Sequence, residues 1–163
     1  MKKVLFAFII LFCAFSLNAQ TTPSPEEFSS LTQKVDSLEK KFTFLNLSFE
    51  IYSLRNDIIS SACNMDTKAL DIQLNMYTGN ASPDFKKAYN AYYESCLGQE
   101  KSYSDLIEVK KKFITSQVIS NEFSESELAL ILGEINAVDA AFDSFKSSIN
   151  VLNALMRVYN QLY

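Results

Sequence analysis

Apolar residues recur at steps of three and four along most of this chain. From Phe28 the series runs through Leu31, Val35, Leu38, Phe42, Leu45, Phe49 and Tyr52, and its register continues at Asn56, Ile59 and Cys63. A second series runs Leu128, Ile131, Ile135, Val138, Phe142, Phe145, Ile149, Leu152, Met156, Tyr159 and Tyr163. A helix turns once every 3.6 residues, so this spacing keeps one stripe on one face. A half-buried strand would alternate with period two instead. Breakers are also scarce, with three glycines and three prolines in 163 residues. An all-β domain needs turn signals every ~8–12 residues. The chain reads as all-α.

Start and stop signals divide it into helices. Ser24, Pro25 and Glu27 supply a cap, a first helical position and the far side of a capping box. Ser82, Pro83 and Asp84 repeat much of that code, and Ser124 with Glu127 forms another box, with Phe123 able to staple to Leu128. Gly79 suits the position just past a helix end. In the first helix a second stripe begins at Phe44 and continues at Leu47, Ile51, Leu54 and Ile58. A helix apolar on two faces is packed between neighbours. Before residue 42 the other faces carry Ser, Gln, Lys, Asp and Glu, so that part is amphipathic and more exposed. After Cys63 the first stripe meets Asp66 and Gln73, while Ala62, Met65, Ala69, Ile72 and Met76 take over. The second helix shows Phe85, Tyr89, Tyr92 and Cys96, then Tyr103, Leu106, Ile107, Phe113, Ile114 and Val118.

Short turns make neighbouring helices antiparallel. The expectation is an elongated antiparallel three-helix bundle with helices at about 25–78, 83–120 and 125–163 and a coiled-coil-like N-terminal extension. The alternative is a four-helix bundle, with the first helix broken near 64–66 and Asp66 as a new cap. Residues 21–163 form a single domain in either case.

Residues 1–20 read as a bacterial secretory signal peptide. Lys2 and Lys3 precede an apolar run from Val4 to Phe15, and small Ala19 suits the residue before the cut. The run is shorter than the ~20 residues that cross a bilayer. The mature chain is therefore expected to be exported to the periplasm or cell envelope, or released, with no integral membrane segment after cleavage. Loss of Lys2 and Lys3 takes the formal charge from −4 to −6. That balance disfavours nucleic acid, which needs clustered cations.

The chain has no histidine. This excludes Ser-His-Asp and Cys-His triads, His-ligated haem and most zinc sites. Asp139 and Asp143, four apart on one helix face, read as solvated carboxylates beside Lys146, not as a calcium or acid–base pair. Lys110, Lys111 and Lys112 spread around a helix and do not converge. Tyr77, Tyr89, Tyr92, Tyr93 and Tyr103 crowd one hairpin, mostly as core or boundary residues. Asn56 interrupts a stripe, where a buried amide can set register. Asp36-Ser37-Leu38 weakly matches a bacterial O-glycosylation sequon. No catalytic residue, cofactor site or metal site is expected.

Cys63 and Cys96 remain after export and lie at similar heights on two antiparallel helices, each on a stripe read as inward. A disulfide between them is expected, worth roughly 3–4 kcal/mol in the chain-entropy model. The functional expectation is an exported, non-catalytic helical-bundle protein of the bacterial cell envelope. It acts by protein–protein interaction or scaffolding, with a protein partner or a second copy meeting Phe28, Leu31, Val35, Leu38 and Phe42. The alternative is a periplasmic carrier that holds a lipid or other small apolar ligand within the bundle.

Overall fold

The computed structural model describes residues 24–79, 82–120 and 123–163. The export signal expected at 1–20 lies outside the described residues. Three helices follow one another: α1 (Pro25–Tyr77), α2 (Pro83–Ile119) and α3 (Glu125–Leu162). No strand occurs among the described residues.

The capping code operates as written. Glu27 N–H donates to Ser24 Oγ at 3.2 Å, and Ser24 N–H donates back to Glu27 Oε2 at 2.8 Å. At α2, Ser82 Oγ accepts from Asp84 N–H at 3.2 Å, with Pro83 just inside the helix. At α3, Ser124 and Glu127 complete a full capping box. These contacts satisfy amide donors that a helix start otherwise leaves orphaned. Gly79, at φ +67°, adopts the left-handed conformation that ends α1, a region costly for residues with a Cβ.

α1 runs unbroken through Asn64, Met65 and Asp66, so the alternative of a split first helix does not hold. Met65 is fully buried between buried Ala62 and Ala69. Continuing the helix keeps all three in the core, whereas a new cap at Asp66 would end the turn that places them there.

The chain divides into two units, one ending at Leu45 and one beginning at Asn46. The second unit is a three-helix bundle. Along α1, Glu50, Ser61 and Asn75 bond to Lys110, Tyr103 and Tyr89 of α2. Rising numbers meet falling ones, so α1 and α2 are antiparallel. Lys111 pairs with Asp139, and the rings of Tyr103 and Tyr89 meet Phe145 and Tyr159 edge-on at 5.3 and 5.6 Å. That makes α2 and α3 antiparallel too. Arg55 bonds Glu134, and Tyr163 Oη donates to the Met76 carbonyl, so α1 and α3 run in the same direction.

The bundle core contains Ile51, Ile58, Met65 and Ile72 from α1, Tyr89 and Cys96 from α2, and Ile131, Val138, Phe145, Leu152 and Tyr159 from α3. In α1 the buried face is the second stripe. The first, read from sequence as inward, faces solvent in this unit: Phe49, Tyr52, Ile59 and Cys63 are exposed. The reason is length. The second stripe merges with Ala62, Met65, Ala69 and Ile72 into one face apolar from Leu47 to Ile72. The first meets Asn56, Asp66 and Gln73 and would bury polar groups without partners.

Candidate interaction surface

In the unit ending at Leu45, the described residues belong to the first turns of α1. Phe28, Leu38 and Phe42 are 53%, 61% and 72% exposed, and Leu45 is exposed as well. Leu31 and Val35 are half-buried. Helical spacing puts all of these on one face. The five residues expected to meet a partner therefore lie together on an accessible apolar stripe. Large apolar side chains standing singly at a surface are ordinary, but a contiguous row is the usual mark of a docking site. Lys34, Glu39 and Lys41 flank the stripe.

The bundle unit carries its own exposed apolar face on α1, formed by Phe49, Tyr52 and Ile59. Arg55 lies 4.9 Å from the Tyr52 ring centroid and bonds Glu134 at 2.9 Å. Asn56 is exposed on that face, so it does not set register inside the bundle. The sequence shows two apolar stripes here and was read as burying both, because an unbroken register from Phe28 to Cys63 looks like a core face. The available signal was the decay of the register at Asp66 and Gln73.

The same rotation sets the two cysteines expected to form a disulfide on different faces. Both cysteines are free thiols: Cys96 is buried on α2, while Cys63 is exposed on α1. Cys63 sits on the outward stripe, and the pairs Ser61–Tyr103 and Asn75–Tyr89 set Cys96 nearer the height of Lys68 than of Cys63. Burial pushes the Cys96 thiol above its ordinary range. Nearby, burial and then the Cys96 thiol push the Tyr92 hydroxyl up to about 12. The Cys96 shift, set by burial against an opposing hydrogen bond with Tyr92, disfavours the thiolate, the form that reacts as a nucleophile.

One polar cluster was not foreseen. Asn75 donates from Nδ2 to Tyr89 Oη at 2.5 Å, Tyr89 donates on to Asp71 Oδ2 at 3.3 Å, and Lys68 donates to the same oxygen at 2.9 Å. Burial, reinforced by the Asp71 charge, raises the Tyr89 hydroxyl above its usual range. The chain of bonds lets a buried tyrosine and asparagine keep hydrogen-bond partners. Among the described residues, no buried side-chain polar atom lacks one. The cluster is structural, tying α1 to α2 near their connecting turn.

The charged groups singled out in the sequence also have structural partners. Lys110 bonds Glu50 and holds that carboxyl below its ordinary range. Lys111 pairs with Asp139 at 2.7 Å, Lys112 with Glu108 at 2.7 Å, and Lys146 with Asp143 at 2.6 Å. The three adjacent lysines thus serve three different carboxylates. Among the described residues there is no cluster of acids and cysteines fit to hold a metal ion. None of their helices is long and apolar enough to cross a membrane. In comparisons with known proteins, no family model, no curated protein and no solved structure matches the chain.

Proposed function

We propose that this protein is an exported, non-catalytic helical-bundle protein of the bacterial cell envelope that works by binding another protein. The observation that carries this reading is the exposed row Phe28, Leu38 and Phe42, with Leu31 and Val35 between them. An aromatic ring held largely in water forgoes the ~25 cal/mol per Å² that burial gives. A helix-in-groove or helix-on-helix contact recovers it through residues spaced at i, i+3, i+4 and i+7. The export component rests on the basic and apolar layout of residues 1–20.

A photo-crosslinking side chain at Leu38, introduced into the protein in intact cells, is expected to join it to a protein partner. The same group at exposed Ser144 on α3 should give no such product. Equal labelling from both sites, or none from Leu38, refutes the interaction reading. Export is checked separately: the mature protein should begin at Gln20, and an intact Met1 start on a cytoplasmic protein overturns that part.

A further inference from the structure

We propose that the partner of this face is a second copy of the chain, and that two copies join through Phe28, Leu31, Val35, Leu38, Phe42 and Leu45 as a parallel, in-register coiled coil. The inference rests on the interaction reading above and names the partner within it. Three features of the same segment support it.

The first is the period. The six residues step by three, four, three, four and three, a strict seven-residue repeat. A 3.5-residue period drifts off the face of a lone straight helix, and stays on a seam only when two helices wind around each other. By contrast, the inward stripe of α1 in the bundle unit has two consecutive steps of four, from Leu54 to Ile58 to Ala62. Of the two stripes of α1, the solvent-facing one therefore has coiled-coil spacing, which it shares with the stripe of α3 that is covered by neighbouring helices.

The second is residue choice. In heptad terms Phe28, Val35 and Phe42 occupy the a positions, and Leu31, Leu38 and Leu45 the d positions. Leucine at every d with a β-branched residue at a favours two parallel strands. The two phenylalanines at a depart from that preference. They also supply area: at 53% and 72% exposure, and 150–250 Å² per ring residue, they leave about 250 Å² uncovered. That is close to a third of the ~800 Å² per partner in a standard interface. The four aliphatic seam residues and the lysine stems add to it.

The third is charge. In a parallel in-register pair, a g residue faces the e residue five positions further along the other chain. Lys34 is at g and Glu39 at e, so Lys34 meets Glu39 of the partner subunit, and symmetry makes the pair twice. In the fully overlapped antiparallel arrangement g faces g, and Lys34 would instead lie beside Lys41 of the partner subunit, again twice. The sequence thus attracts in one orientation and repels in the other. The seam is self-complementary, as a two-fold interface requires.

The test is the native mass of the full chain, as its host processes it, measured by sedimentation over a range of concentrations. A dimer is expected. Lys34→Glu alone and Glu39→Lys alone should each weaken it at least tenfold at low salt, with helicity unchanged. The double charge swap should restore it. If Lys34→Glu tightens the dimer, the pairing is antiparallel and the proposal fails. A chain that stays monomeric up to its solubility limit also overturns self-association. In that event a crosslink from Leu38 to a different protein leaves the interaction reading standing, and no crosslink removes both.

Discussion

Ile58 and Ile59 are adjacent in α1 and chemically identical, yet Ile58 is fully buried and Ile59 is 44% exposed. Changing either to alanine deletes the same atoms, so a difference in stability reports only which stripe faces the core. For Ile58→Ala the loss is the transfer free energy plus an enclosed cavity, about 3 kcal/mol within the 2–5 seen for such sites. For Ile59→Ala roughly half of a ~2 kcal/mol burial is lost and no cavity closes around the gap. Alanine returns ~0.4 kcal/mol of helix propensity at either site. The net expectation is about 2.5 kcal/mol for Ile58→Ala and about 0.5 kcal/mol for Ile59→Ala. With an m-value of about 2 kcal/mol per molar in urea, the midpoints fall by roughly 1.2 M and 0.3 M, at unchanged m. The melts should be run at two protein concentrations, because a loss of self-association shifts stability in a concentration-dependent way and a core cavity does not. Equal losses, or a larger loss at Ile59, would refute the assignment of the second stripe to the core.

Three other outcomes follow from the same packing. Without reductant, one thiol per chain, Cys63, should react at once in the native protein, and Cys96 only on unfolding; absence of both thiols in the denatured, unreduced chain would restore the disulfide. Burial raises the hydroxyls of Tyr89 and, to about 12, Tyr92, so the folded chain keeps protons that unfolded tyrosines release near ~10. Their contribution to stability is therefore complete below pH ~10 and is lost as pH climbs toward 12, and Tyr92→Phe should flatten part of that decline in urea melts taken across the range. Ser124→Ala removes the capping-box oxygen at the start of α3 and should cost about 1 kcal/mol in thermal or urea unfolding, with a near-zero effect arguing that the box is idle.

The helix starts were legible because capping is a local matter. Ser24, Ser82 and Ser124 each satisfy amides two or three residues away, and nothing distant competes for them. The class was legible for a similar reason: stripes at three- and four-residue steps without breakers leave a helix as the only element that segregates them. The five residues proposed for partner contact were also readable, since an amphipathic segment with one apolar stripe and charged flanks has only one face to offer.

The orientation of α1 within the bundle was not legible in the same way. Phe49 and Ile51, or Ile58 and Ile59, are equally apolar, and a sequence lists both without saying which meets α2 and α3. The choice is made by continuity along the whole contact, where the face from Leu47 to Ile72 stays apolar and the other meets Asn56 and Asp66. From that single rotation follow the exposed Cys63, on a different face from buried Cys96, and the outward Phe49, Tyr52 and Ile59. The Asn75–Tyr89–Asp71 relay likewise depends on two helices meeting. Sequence alone determined the elements and their ends, because those are set by contacts within a turn or two. Tertiary structure decided which stripe is core and which is surface, because burial is a property of the assembled helices and is won by the face that can be covered along its full length.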